Sequence, residues 1–163
     1  MLYTRGKFRP MIETLTPAQM EAFLENKYIG HLAVTDAENR PYVVPVTCLY
    51  DPESHSIISY TAEGRKIDAL RQNPRVCLAI SDIQDLSHWK SVIIEGTFEE
   101  LKDVEAMKGI QLLITRLQHI INDEGKQQVD FIADMARANP QNPKVIYRIN
   151  IDKMDGRYED GEE

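Results

Sequence analysis

Residues Pro41–Tyr50 read PYVVPVTCLY, and this run decides what kind of fold the chain can have. Successive side chains of a strand point to opposite faces. Tyr42, Val44, Val46 and Cys48 therefore share one face, and Val43, Pro45, Thr47 and Leu49 share the other. Both faces are largely apolar, so both need cover. One can fill a barrel, while the other calls for a helix, a ligand or a second subunit. Pro45 removes a ladder donor in mid-run, which is tolerated at an edge or a bulge. The plainer alternative is a proline-broken edge strand lying under a large helix.

The flanking sequence supplies further short strands. Tyr28–Thr35 (YIGHLAVT) precedes a polar turn at residues 36–40, and DPESHS leads into Ile57–Thr61. Arg75–Ser81, Trp89–Leu101 and Lys144–Ile151 follow, with a bend expected at Gly96. Thr16-Pro17-Ala18-Gln19 starts a short helix: threonine caps, proline fills the first position, and glutamine reaches back. Gly64–Asn73 is a second helix, ended by Asn73-Pro74. Asp103–Asn122 is the main helix, with Met107, Ile110, Leu113, Leu117, Ile120 and Ile121 on its apolar face. Gln127–Arg137 reads as a further helix. At least six strands in hairpin order, with a few helices, predict an α+β, mainly β chain built on a closed or nearly closed antiparallel barrel.

A chain of 163 residues with 42% apolar content makes one domain, residues 1–163, with residues 1–10 as a mobile arm. Residues 152–163 hold six acids against Lys153 and Arg157, a net of −4 out of −7. This acidic tail is expected to fray. The rest carries no basic stripe, which argues against nucleic acid as a partner. No apolar run can span a membrane, and MLYTRGKFRP lacks a signal core, so the cytoplasm is expected. Cys48 and Cys77 read as buried free thiols, and the four histidines make no metal-ligand pattern.

The residues with the most chemistry lie in Ser59–Leu78, SYTAEGRKIDALRQNPRVCL. Tyr60, Thr61, Gly64, Arg65 and Lys66 fall where a strand meets a helix. A helix start offers unpaired N–H groups and the positive end of a dipole. Hydroxyls and two cations around it suit a terminal phosphate monoester. An exposed helix start with two solvated cations is the other reading.

In this order, YTAEGRK and NPRV make the chain resemble the pyridoxamine 5'-phosphate oxidase-like family of FMN-binding split β-barrels. Asn39-Arg40-Pro41, Val44-Pro45-Val46, Tyr50-Asp51 and Trp89-Lys90-Ser91-Val92 with Gly96 resemble its small-protein branch, near the nitroimidazole-resistance proteins. The resemblance covers about Met11–Glu100 and the last strand. It implies a split barrel of six or more antiparallel strands with flanking helices, and a homodimer holding FMN between subunits. Arg65 and Lys66 would then hold the phosphate, helped by Thr61 and Ser91, with Tyr60 lining the site. The backbone of Val44, Pro45, Val46 and Thr47 would run along the isoalloxazine edge.

The resemblance implies an FMN-dependent oxidoreductase acting on a small molecule. Tyr60 stands where many nitroimidazole-resistance proteins carry histidine, and the tryptophan and arginine that close the oxidase substrate site have at most Arg157 as a counterpart. A flavin-binding carrier or sensor without turnover, or a haem-binding member of the same fold, are the alternatives. No catalytic acid or base is nominated. His31 fits a structural role better than a chemical one.

Overall fold

A computed structural model describes residues 12–123, 137 and 144–161. The arm at residues 1–10 and the helix expected over Gln127–Arg137 lie outside the described residues, except for Arg137 itself. The elements are β1 (Glu13–Thr14), α1 (Pro17–Leu24), β2 (Ile29–Thr35), β3 (Pro41–Asp51), β4 (Ser56–Ala62), α2 (Arg65–Gln72), β5 (Arg75–Ile83), β6 (His88–Glu100), α3 (Asp103–Asp123) and β7 (Lys144–Asp160).

The strands run in the order β1-β7-β4-β3-β2-β5-β6, all antiparallel, and β7 also pairs with β6. Six strands thus close on themselves, and β1 extends the edge of β7. Alternation fills the inside. Leu32, Val34, Val46, Cys48, Ile57, Leu78, Ile80, Val92, Ile94, Tyr147 and Ile149 are all buried there. Met20 and Leu24 of α1 and Ile67 and Leu70 of α2 join the same cluster. On the other side of the wall, Leu49, Ile58 and Ile146 face Leu113, Leu117, Ile120 and Ile121 of α3. The doubly apolar β3 is thereby covered at its C-terminal end by α3.

Local signals explain several boundaries. Thr16 and Gln19 form the reciprocal cap of α1, with Pro17 in the first turn. Asn73 leaves helical geometry ahead of Pro74, ending α2. A Cβ on Gly96 would lie 2.5 Å from the Asn150 carbonyl oxygen, so only glycine allows β6 and β7 to approach there. Beside it the register shifts by one residue, leaving Asp152 as the extra residue of a bulge in β7.

Three expectations are corrected. Residues 152–160 are the second half of β7, paired with β6 and β1. Asp155 and Glu159 alternate outward while Met154, Gly156 and Tyr158 turn toward the core. Met107 is 70% exposed, because the buried stripe of α3 is centred on Gly109, Leu113 and Leu117. Cys77 is only half-buried, on the outer face of β5, whereas Cys48 lies inside the barrel.

Candidate functional site

The barrel wall parts between β3 and β4. The two strands pair only from Cys48↔Ser59 to Asp51↔Ser56. Beyond that point Pro41–Thr47 stays with β2, while Tyr60–Ala62 stays with β7. Among the described residues no strand pairs with the other edge of Pro41–Thr47. The Cys48 N–H donates to the Tyr28 carbonyl at 2.9 Å. By antiparallel alternation, Tyr42, Val44 and Val46 exchange bonds with β2, whereas Val43, Pro45 and Thr47 direct their backbone groups to the parted side. Pro45 therefore costs the ladder no bond. At the apex of the split the Ser59 hydroxyl donates to the Thr47 carbonyl at 2.6 Å.

The opposite lip carries the cations. β4 runs through Thr61 into the turn at residues 63–64, and α2 begins at Arg65. Gly64 caps α2 without a side-chain bond, and a Cβ placed on it would meet nothing within 4 Å. The space beside Gly64 is unfilled, and no side chain caps the first-turn N–H groups. Lys66 is half-buried, and no acidic partner approaches it among the described residues. Burial lowers its pKa, the mark of an ammonium that has lost water without gaining a counter-charge.

Arg65 reaches across the mouth of the split. Its guanidinium carbon lies 4.3 Å from the centre of the Tyr42 ring, and its Nη2 donates to Asp36 Oδ2 at 3.3 Å. Asp36 is fixed in turn by the backbone N–H groups of Glu38 and Arg40 and by Arg40 Nε. The Arg40 backbone bond is the first cause of its lowered pKa. On the far side of the corner, Arg71 donates to both oxygens of Glu63, each at 2.8 Å. It also donates to both oxygens of Glu100, at 3.0 and 2.8 Å.

Of the residues singled out from sequence, the structure brings Val44, Pro45, Val46 and Thr47 to one lip and Thr61, Arg65 and Lys66 to the other. Tyr60 does not join them. It points to the opposite face of β4 from Ser59 and Thr61, packed against the α3 cluster with Lys144 Nζ 5.8 Å from its ring centre. Ser91 also stands apart within one chain, on β6, separated from β3 by β2 and β5, where it accepts a hydrogen bond from Ser81 at 3.2 Å. His31 is exposed on the outer face of β2 opposite Pro45, not enclosed in a core.

Sequence reading passed over Tyr42, Asp36 and the Glu63–Arg71–Glu100 group. The i,i+4 spacing of Asp36 and Arg40 was a usable sign of a stapled turn. Nothing local pairs Arg71 with Glu100, which is 29 residues away.

Comparison with known proteins agrees with this architecture. A protein of Rhizobium meliloti is 36% identical over 64 residues, which span 39% of this chain and 41% of that protein. Among solved structures, a FAD-binding protein of Mesorhizobium loti is 27% identical, with a TM-score of 0.66 over 92% of this chain and 98% of the other. A candidate 5-nitroimidazole antibiotic resistance protein of Bacteroides thetaiotaomicron is 18% identical, with a TM-score of 0.64 over 90% and 87% of the two chains. The family described as pyridoxamine 5'-phosphate oxidase matches residues 16–158, which include both lips of the split and the strands that close the barrel; the chain belongs to that family.

Proposed function

We propose that the protein binds FMN in the split between β3 and the β4–α2 corner, as a homodimer, and acts as an oxidoreductase on a small molecule. One observation carries this reading. A half-buried lysine, without an acidic partner among the described residues, stands beside an arginine at a helix start that has no side-chain cap, facing an open strand edge. A phosphate monoester supplies the counter-charge that Lys66 lacks among the described residues. The FAD-binding relative from Mesorhizobium loti supports a flavin as its bearer.

When bound, the flavin would supply the reversible two-electron chemistry. The chain's own groups do the rest. Lys66 neutralises phosphate charge as a movable point, and Arg65, steadied on the Tyr42 ring, presents its remaining donors. Thr61 adds a hydroxyl on the same lip. The backbone of Val43, Pro45 and Thr47 offers donors and acceptors to a flat polar ring edge.

The homodimer is supported by the outer wall of β3, β2, β5 and β6. Register aligns Pro45, His31, Ala79 and Ile93 across the four strands, with Val43, Ala33 and Cys77 in the next row. Val43 is 58% exposed, Ile29 55% and Ile93 38%, beside the exposed His31 and with Glu95 completing the second row. A sheet face of this kind suits a second copy. Ile93→Arg is expected to shift the purified protein from dimer to monomer in light scattering; a monomeric wild type removes this part of the reading.

The spectrum of freshly purified protein, with mass identification of what it releases on denaturation, tests the cofactor. Flavin bands support the reading, and a Soret band without them replaces it with haem. Rapid NAD(P)H-dependent reduction with reoxidation by an acceptor separates an enzyme from a carrier or sensor. Arg65→Ala with Lys66→Ala removes two charge-assisted contacts, about 3–6 kcal/mol, and should weaken FMN at least about a hundredfold. Undiminished flavin content in a folded double variant refutes the assignment.

A further inference from the structure

Glu63 is the natural rival of any anion at this corner. It lies two residues before Arg65 and three before Lys66. A carboxylate so near in sequence could turn toward either cation, and unlike charges attract over roughly 8 Å in physiological salt. Its bonds run the other way. Both oxygens are taken, in a fork-to-fork pair at 2.8 Å, by Arg71 in the last turn of α2. The same guanidinium also holds Glu100, at the end of β6, through two further bonds. Arg65 instead meets Asp36, and Lys66 has no acidic partner among the described residues.

We propose that Arg71 is a positioning residue of the anion site. It draws the Glu63 carboxylate to the far end of α2 and so keeps the Arg65–Lys66 corner open to the phosphate of a bound mononucleotide. The inference rests on the flavin reading and deepens it, since it assigns a residue that touches no ligand to the strength of the phosphate subsite. A lysine could not do the same work, because a point charge lacks the planar fork that holds two carboxylates in fixed directions.

Titration of the purified protein, freed of bound flavin, with FMN and with riboflavin isolates the phosphate contribution. Arg71→Gln should weaken FMN about tenfold and leave riboflavin within about twofold, because only the phosphate feels the released carboxylate. Adding Glu63→Gln to that variant should restore FMN to within about threefold of wild type, and Glu100→Gln alone should leave FMN within the same margin. A purely structural tie between α2 and β6 makes the opposite demands. FMN and riboflavin would weaken together, Glu63→Gln would restore nothing, and Glu100→Gln would weaken FMN as much as Arg71→Gln. Any of these overturns the proposal, and if Arg71→Gln does not fold, the Glu100→Gln titration decides alone. Wild-type protein that binds neither FMN nor riboflavin refutes the flavin reading itself. Wild-type protein that binds FMN, with Arg71→Gln unchanged, refutes only the role of Arg71.

Discussion

Lys66→Met separates what the lysine does for the fold from what it does for a ligand, because the two effects have opposite signs. Methionine keeps an unbranched apolar stem and removes the ammonium. In the ligand-free protein that ammonium is half-buried with no acidic partner among the described residues, and desolvation lowers its pKa. A lysine whose pKa is lower folded than unfolded binds fewer protons in the native state, so its charged form opposes folding at neutral pH. The penalty fades as pH rises from the lowered folded value toward the unfolded value of 10.5. The variant should therefore melt no lower than wild type at pH 7, and the gap should close in alkali. With FMN the sign reverses. One charge-assisted hydrogen bond contributes about 1.5–3 kcal/mol, so FMN should bind roughly 10- to 150-fold more weakly. Riboflavin, which lacks the phosphate, should bind as before. Fluorescence titration with both ligands and calorimetric melting between pH 7 and 11 measure all of this. A variant that melts lower and loses riboflavin along with FMN would show Lys66 to be a packing residue, and the reasoning would fail.

Three further perturbations test the scaffold. The Tyr147 hydroxyl is fully buried with no bond of hydrogen-bond geometry among the described residues, and burial, only partly offset by the nearby Ser59 side chain, pushes its pKa up to about 12, so Tyr147→Phe should leave the melting temperature unchanged or raise it. A loss above about 1 kcal/mol would mean the hydroxyl is bonded after all. Gly96→Ala should cost about 1–3 kcal/mol in denaturant titration, since the new methyl meets backbone across the β6–β7 seam; a neutral result would disprove that close approach. Arg148, and then Asn150, hold the Glu99 pKa down to about 2. Its contribution is present above the unfolded value of 4.5 and disappears as pH falls through about 2. Both side chains are partly exposed, so Glu99→Gln should flatten that acid limb by less than about 1 kcal/mol. An unchanged acid limb would show that the pair contributes nothing.

Local chemistry made much of the scaffold readable. Thr16-Pro17 and Asn73-Pro74 place a helix start and a helix end through caps and forbidden dihedrals, which need no distant contact. The acids of residues 152–160 hid a strand, because charge suggested solvation while Met154, Gly156 and Tyr158 kept an inward alternation. Met107 shows the reverse error: periodicity marks an apolar stripe, but not how much of it the barrel can cover.

The amino-acid order by itself determined that β3 is apolar on both faces, that Pro45 sits where a missing donor is tolerated, at an edge or a bulge, and that two cations follow a strand into a helix. These follow from side-chain alternation, a missing N–H and the geometry of helix starts, all properties of neighbours along the chain. Only the tertiary structure decided where β3 and β4 part, and hence that Thr61 faces the split while Tyr60 turns to α3. It alone placed Asp36 against Arg65 and Glu63 against Arg71, and left Lys66 without an acidic partner among the described residues. The reason is physical. The charge a side chain feels depends on which groups the closing of the barrel brings within a few ångströms, and separation along the chain carries no record of that.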